Sequence, residues 1–154
     1  MNSTESQCPV LIVEDDEDLR DMMAQMLTIE GFAAATVANG REALDYLHRR
    51  GSFASRSHEN PAVILLDLKL PKVDGIEVLQ HVKANDTLKT TPVVVLTSSN
   101  EERDMVASYR LGVNAYVVKP VDFHEFVNAV KELGIFWAII NVPPPGSLKK
   151  SGRS

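Results

Sequence analysis

The sequence predicts an α/β domain, a doubly wound parallel sheet of five strands with helices on both faces. Three observations predict it. Short continuous apolar runs alternate five times with segments whose apolar residues recur every three or four positions, and such alternation implies parallel strands joined by helical crossovers. The first run, Val10-Leu11-Ile12-Val13, leads directly into the acids Glu14-Asp15-Asp16-Glu17-Asp18, and the run Ala62-Val63-Ile64-Leu65-Leu66 ends on Asp67. Thr97 and Lys119 follow the fourth and fifth runs in matching positions. Asp15, Asp67, Thr97 and Lys119 are thus expected just past strand ends, where ligands bind in open parallel sheets.

Each element has its own signal. Val10–Val13 is short, apolar and bounded by polar residues, as a strand buried on both faces must be. Leu19, Met22, Met23, Met26, Leu27 and Ile29 follow at helical spacing, and Gly31 stops that helix. Ala33–Val37 reads as a weaker second strand. Asn39 can cap a helix carrying Ala43, Leu44 and Leu47. Gly51 to Asn60 is a polar connector, long for such a turn and expected to be mobile. Ala62–Leu66 is the third strand, and Pro71 and Asp74-Gly75 mark the loop after it. Ile76, Val78, Leu79 and Val82 begin a helix that fades by Asn85. Pro92 precedes the fourth strand, Val93–Leu96, and Thr97 to Asn100 form a loop and helix cap. Met105, Val106, Tyr109 and Leu111 define the next helix, closed by Gly112. Ala115–Val118 is the fifth strand, and Phe123, Phe126, Val127, Val130 and Leu133 start the last helix.

Composition excludes several classes. A chain of 154 residues, 44% of them apolar, suffices for one domain with its own core. The net charge of −5 argues against a nucleic-acid-binding face. No apolar run reaches the ~20 residues that cross a bilayer, and Met1 to Gln7 is polar, without a signal-peptide core. The single cysteine, Cys8, forms no disulfide within the chain, which fits a reducing, cytoplasmic setting. His48, His58, His81 and His124 lack ligand-like spacing and read as surface residues.

The strand-end residues suit phosphoryl chemistry. Mg²⁺ prefers an octahedron of oxygens from few carboxylates, water and phosphate. Asp15 and Asp67 can coordinate it directly and Glu14 through a water, while Asp67 serves as the nucleophile that forms an acyl phosphate. Lys119 offers a mobile ammonium and Thr97 a hydroxyl to the phosphoryl oxygens, which suits a reaction that needs mainly positioning and charge neutralisation. Each residue also has a plainer reading. Acids at a helix start complement its dipole, which serves for Asp16, Glu17 and Asp18. Asp67 alone could open a turn, Thr97 alone could cap a helix and Lys119 alone could reach to water.

The set Glu14-Asp15, Asp67, Pro71, Asp74-Gly75, Thr97, Tyr116 and Lys119-Pro120 resembles the receiver domain of two-component response regulators, over about Pro9 to Leu133. The resemblance implies a flavodoxin-like (βα)5 fold with strand order 2-1-3-4-5. It implies phosphorylation of Asp67 by a histidine kinase, with Mg²⁺ as cofactor (Mn²⁺ or Ca²⁺ as substitutes), the backbone carbonyl of Lys69 as a further metal ligand and a cis Lys119–Pro120 bond. It also implies a switch in which Thr97 turns inward and Tyr116 changes rotamer. Lys119-Pro120-Val121-Asp122, the Ser52–Asn60 connector and Phe136-Trp137 resemble the phytochrome-associated response regulators of bacteria, in which the receiver stands alone. Two positions depart from the common receiver pattern. Glu14 stands where many receivers have Asp, and Lys69, two past the acceptor, could lie over the phosphate and impede water.

These readings divide the chain into a receiver at 8–133, an extension at 134–145 and flexible tails at 1–7 and 146–154. The apolar stripe Phe126, Val130, Leu133, Trp137, Ile140 carries past the receiver as a continued helix, despite the ~1 kcal/mol cost of Gly134, or as an extended arm. Either projects Phe136, Trp137, Ile139 and Ile140 toward a homodimer contact, the alternative being that the segment folds back on its own sheet. Met105, Tyr109, Val113, Tyr116, Phe123 and Val127 are candidates for an output surface. The function expected is that of a phosphoacceptor signalling protein rather than an enzyme. The alternatives are a pseudo-receiver docking scaffold and an aspartate-nucleophile phosphatase, which would need a second acid where Lys69 stands.

Overall fold

The computed structural model describes residues 9–56, 60–70, 73–108 and 110–140, with Ser108 and 134–140 as backbone only. Cys8, His58, Pro71, Tyr109 and the tails lie outside the described residues. The elements run β1 (Val10–Val13), α1 (Glu17–Ile29), β2 (Ala34–Val37), α2 (Gly40–His48), β3 (Val63–Asp67), α3 (Gly75–Ala84), β4 (Val93–Thr97), α4 (Asn100–Ser108), β5 (Ala115–Val118) and α5 (Phe123–Ile140). The five strands are parallel in the order β2-β1-β3-β4-β5. This is the expected flavodoxin-like arrangement.

Side chains on the sheet alternate between two cores, because successive strand residues point to opposite faces. Leu11, Val13, Ile64, Leu66, Val93 and Val95 pack under α2, α3 and α4. Val10, Ile12, Val63, Leu65, Val94 and Leu96 pack under α1 and α5. Both faces being covered, β1, β3 and β4 are buried throughout. The chain leaves β1 for β2 on one side and for β3 on the other, so the strand order reverses between β1 and β3. A crevice opens at their carboxyl ends, as expected of such a switch point.

Several expectations need correction. The described part of the connector after α2, residues 51–56, carries local structure that the sequence reading did not include. A 3₁₀ turn spans Gly51–Phe53, Phe53 packs edge-on against Tyr46 with ring centroids 5.2 Å apart, and the Arg56 guanidinium lies 4.2 Å above the same Tyr46 ring. Val127 belongs to the α5 core rather than to a surface. Met22 and Ile29 of the first helical stripe are exposed, and Leu88, in the turns beyond α3, is buried in the core on the opposite face of the sheet. The α4 helix ends at Ser108, before Leu111 and Gly112, with Arg110 already at φ 55°. His48 and His81 are not separate surface residues: their Nε2 atoms meet in a hydrogen bond between α2 and α3. Past Leu133 the backbone stays helical through Gly134 to Ile140, which decides between helix and arm over that stretch.

Candidate functional site

The acidic run divides its tasks. Asp16 is the N-cap of α1, its Oδ1 accepting the Leu19 N–H at 3.1 Å, and Glu17 and Asp18 sit in the first turn, where they complement the helix dipole. Glu14 is fully buried and turned into the crevice by the Asp16 N–H, which donates to its Oε2 at 3.0 Å. Asp15, between them, is exposed. Glu14, Asp15 and Asp67 each place one carboxylate oxygen within 4.8 Å of the others.

Asp67 and Thr97 are the last residues of β3 and β4 rather than the residues after them. The sheet ladder therefore fixes both backbones. Asp67 is held at both oxygens. The Lys69 N–H donates to Oδ1 at 3.1 Å, and the Lys119 ammonium donates to Oδ2 at 2.9 Å. The same ammonium lies 3.3 Å from Glu14 Oε1. Burial alone would lower the Lys119 pKa, but the hydrogen bond and charge of Asp67, followed by Glu14, outweigh it and raise it. The cation therefore persists inside the site. Lys119 is placed by its own N–H, which donates to the Thr97 carbonyl at 2.7 Å, and the Lys119–Pro120 bond is cis. The Thr97 hydroxyl is buried and has no hydrogen-bond partner among the described residues.

The N-terminus of α3 approaches the acceptor strand closely. Asp74 caps that helix, accepting the Glu77 N–H at 3.0 Å, and the Gly75 N–H donates to the Leu68 carbonyl at 3.0 Å. A Cβ on Gly75 would lie 2.4 Å from the Asp67 carbonyl oxygen, so only glycine allows this approach.

Two residues that the sequence reading left unassigned stand beside the site. Glu102 of α4 is buried. Its Oε1 accepts the Ser98 N–H at 2.8 Å, and its Oε2 lies 3.1 Å from the Lys69 ammonium. Lys69 thus points to α4 and not over Asp67. Arg103, next in the chain, places its guanidinium 4.8 Å from the centre of the half-buried Tyr116 ring. The spacing Ser99-x-x-Glu102 carried a signal for the first of these, since it is that of a capping box. Ser99 Oγ does accept the Glu102 N–H at 3.2 Å.

The donor set fits a hard divalent cation: two buried carboxylates and an exposed one share a crevice, and Glu14 Oε1 lacks a directed hydrogen bond. Among the described residues no helix is long and apolar enough to cross a membrane.

Comparison with known proteins agrees with this geometry. Residues 10–131 match the family described as response regulator receiver domain. The solved bacteriophytochrome response regulator RtBRR is 56% identical, over 92% of this chain and 86% of that one, with a TM-score of 0.75. The bacteriophytochrome response regulator AtBRR is 51% identical, over 88% of this chain and 98% of that one, with a TM-score of 0.76. Response regulator Rcp1 of Synechocystis sp. (strain ATCC 27184 / PCC 6803 / Kazusa) is 38% identical over 140 residues, 88% of this chain and 93% of its own. A Mn²⁺-bound form of response regulator Rcp1 has been solved, with 36% identity over 84% of this chain and 94% of that one and a TM-score of 0.69. A (βα)5 sheet, an acidic crevice at its switch point and a lysine reaching the central aspartate all agree with these matches: the chain belongs to the response regulator receiver domain family of two-component systems, and bacteriophytochrome response regulators are its close structural neighbours.

Proposed function

We propose that Asp67 accepts a phosphoryl group from the phosphohistidine of a histidine kinase and that the chain then signals by protein–protein contact. The observation that carries this reading is the Lys119 ammonium 2.9 Å from Asp67 Oδ2, reached across 52 residues of sequence with Glu14, Asp15 and Thr97 beside it. A carboxylate oxygen of Asp67 attacks phosphorus, the bond from phosphorus to the imidazole nitrogen breaks, and the electron pair leaves with the imidazole. The Lys69 N–H keeps Asp67 oriented. Lys119 passes from Oδ2 to a phosphoryl oxygen as negative charge moves there. The buried Thr97 hydroxyl, unpaired at rest, donates to another phosphoryl oxygen. Asp15 and Asp67 directly, Glu14 through a water and the Lys69 carbonyl would hold Mg²⁺, which supplies positive charge between the carboxylates and the incoming phosphate.

The kinase in this reading is of the phytochrome type. Its support is identity of 56% and 51% to two bacteriophytochrome response regulators, over 86% and 98% of their lengths. Incubation with acetyl phosphate and Mg²⁺ is the test. The chain gains the mass of one phosphoryl group, and Asp67→Asn gains none. Sustained phosphate release over many turnovers would instead mark a phosphatase, and no uptake would mark a docking scaffold.

A further inference from the structure

The site holds more carboxylates than the phosphoryl reaction uses. Glu102 stands on the far side of the acceptor loop with 10% of its side chain exposed, paired to a lysine side chain that is 72% exposed. Among the described residues, its directed hydrogen bond at the carboxylate comes from the Ser98 backbone N–H. The Lys69–Glu102 contact is ionic rather than a well-directed hydrogen bond, and an exposed lysine exchanges partners easily because such pairs are weak. Lys69 also leaves its backbone behind when it moves: its N–H stays on Asp67 Oδ1 while the side chain is free to turn.

We propose that Glu102 is a positioning residue that competes with a phosphoryl group on Asp67 for the Lys69 ammonium, and so sets both the lifetime of the acyl phosphate and the placement of the first turn of α4. This rests on Asp67 being the phosphoacceptor. With Lys69 on Glu102, the approach to phosphorus is open. Water attacks phosphorus, the bond between phosphorus and the Asp67 oxygen breaks, the carboxylate leaves with the electron pair, and the water's released proton goes to solvent or to the departing phosphate. With Lys69 on the phosphoryl oxygens, its four-carbon stem lies across that approach and hydrolysis slows. The exchange has a consequence on α4. A buried carboxylate that loses its cation is costly to keep in place, so the turn carrying Glu102 shifts toward solvent. Arg103, the next residue, then moves relative to the Tyr116 ring that it covers. The ion pair and the cation–π contact lie on consecutive residues of one helical turn, which links the acceptor loop to β5.

The experiment measures loss of the phosphoryl group after labelling with acetyl phosphate and removal of the donor, in wild type, Glu102→Gln, Lys69→Met and the double variant. Gln keeps an acceptor for the Ser98 N–H and removes the charge. The expected result is a lifetime roughly 1.5- to 5-fold longer in Glu102→Gln, the range that weak ion pairs of this kind support. Lys69→Met, at an exposed side chain, decays faster than wild type. The double variant decays like Lys69→Met, because the effect of Glu102 runs through the lysine. Equal decay in wild type and Glu102→Gln overturns the proposal. So does the same lengthening in the Lys69→Met background, which would mean that Glu102 acts through the helix alone. Should Glu102→Gln not fold, slower decay in Lys69→Met also overturns it. Absence of labelling in wild type removes the phosphoacceptor reading itself, and the proposal with it.

Discussion

Burial, followed by the neighbouring Asp67 carboxylate, pushes the Glu14 carboxyl up from 4.5 to about 7 against the opposing pull of the Asp16 N–H and Lys119. Between those values the folded chain keeps a proton that the unfolded chain has released. The contribution of Glu14 to metal-free stability therefore falls as pH rises through this window and is lowest above it. Glu14→Gln, which mimics the protonated side chain, is expected to be more stable than wild type at pH 8 in a chelator. The gain is up to ~3 kcal/mol and vanishes near pH 4.5. Urea unfolding at the two pH values checks this, and added Mg²⁺ should narrow the gap by restoring a positive neighbour. At this scale the sequence was informative where chemistry follows directly from position. Glu14, Asp15, Asp67, Thr97 and Lys119 each follow from a strand end. Glu102 did not emerge, because its role depends on where α4 lies relative to β3, and one chain's periodicity is silent on that.

Among the elements, α3 shows most plainly how backbone approach builds the site. The Gly75 Cα sits against the Asp67 carbonyl and Leu68, and a methyl group there must push α3 off the strand that carries the acceptor. Gly75→Ala is expected to cost about 3 kcal/mol, as overpacking against backbone does, and to slow phosphoryl uptake by tilting Asp67 away from Lys119. Denaturant titration and the acetyl phosphate reaction read these separately. Element existence and order were legible from apolar spacing, and Asn39 was legible as a cap, its Oδ1 accepting the Glu42 N–H at 2.9 Å. In the connector after α2, Phe53 and Arg56 gather on one ring, Tyr46, and that convergence was not legible because it has no period.

On the scale of the whole molecule, α5 runs 18 residues without interruption, about 27 Å, although the receiver family match ends at 131. Phe126 and Val130 are buried in the core under the sheet, and the sequence goes on with apolar residues at helical spacing beyond Leu133. We expect a homodimer through the extension, with Phe136, Trp137, Ile139 and Ile140 at the contact. A chain ending after Leu133 should sediment as a monomer where the full chain sediments as a dimer, and a truncated dimer would count against this.

The seam between α2 and α3 has a chemistry of its own. Two imidazole nitrogens that share one hydrogen bond have room for a single proton between them. Burial, followed by the proximity of His81, lowers the His48 pKa from its usual 6.5, so the support this contact lends is complete above that value and fades as acidity increases. The α2–α3 contact is thus expected to weaken as pH falls below 6.5.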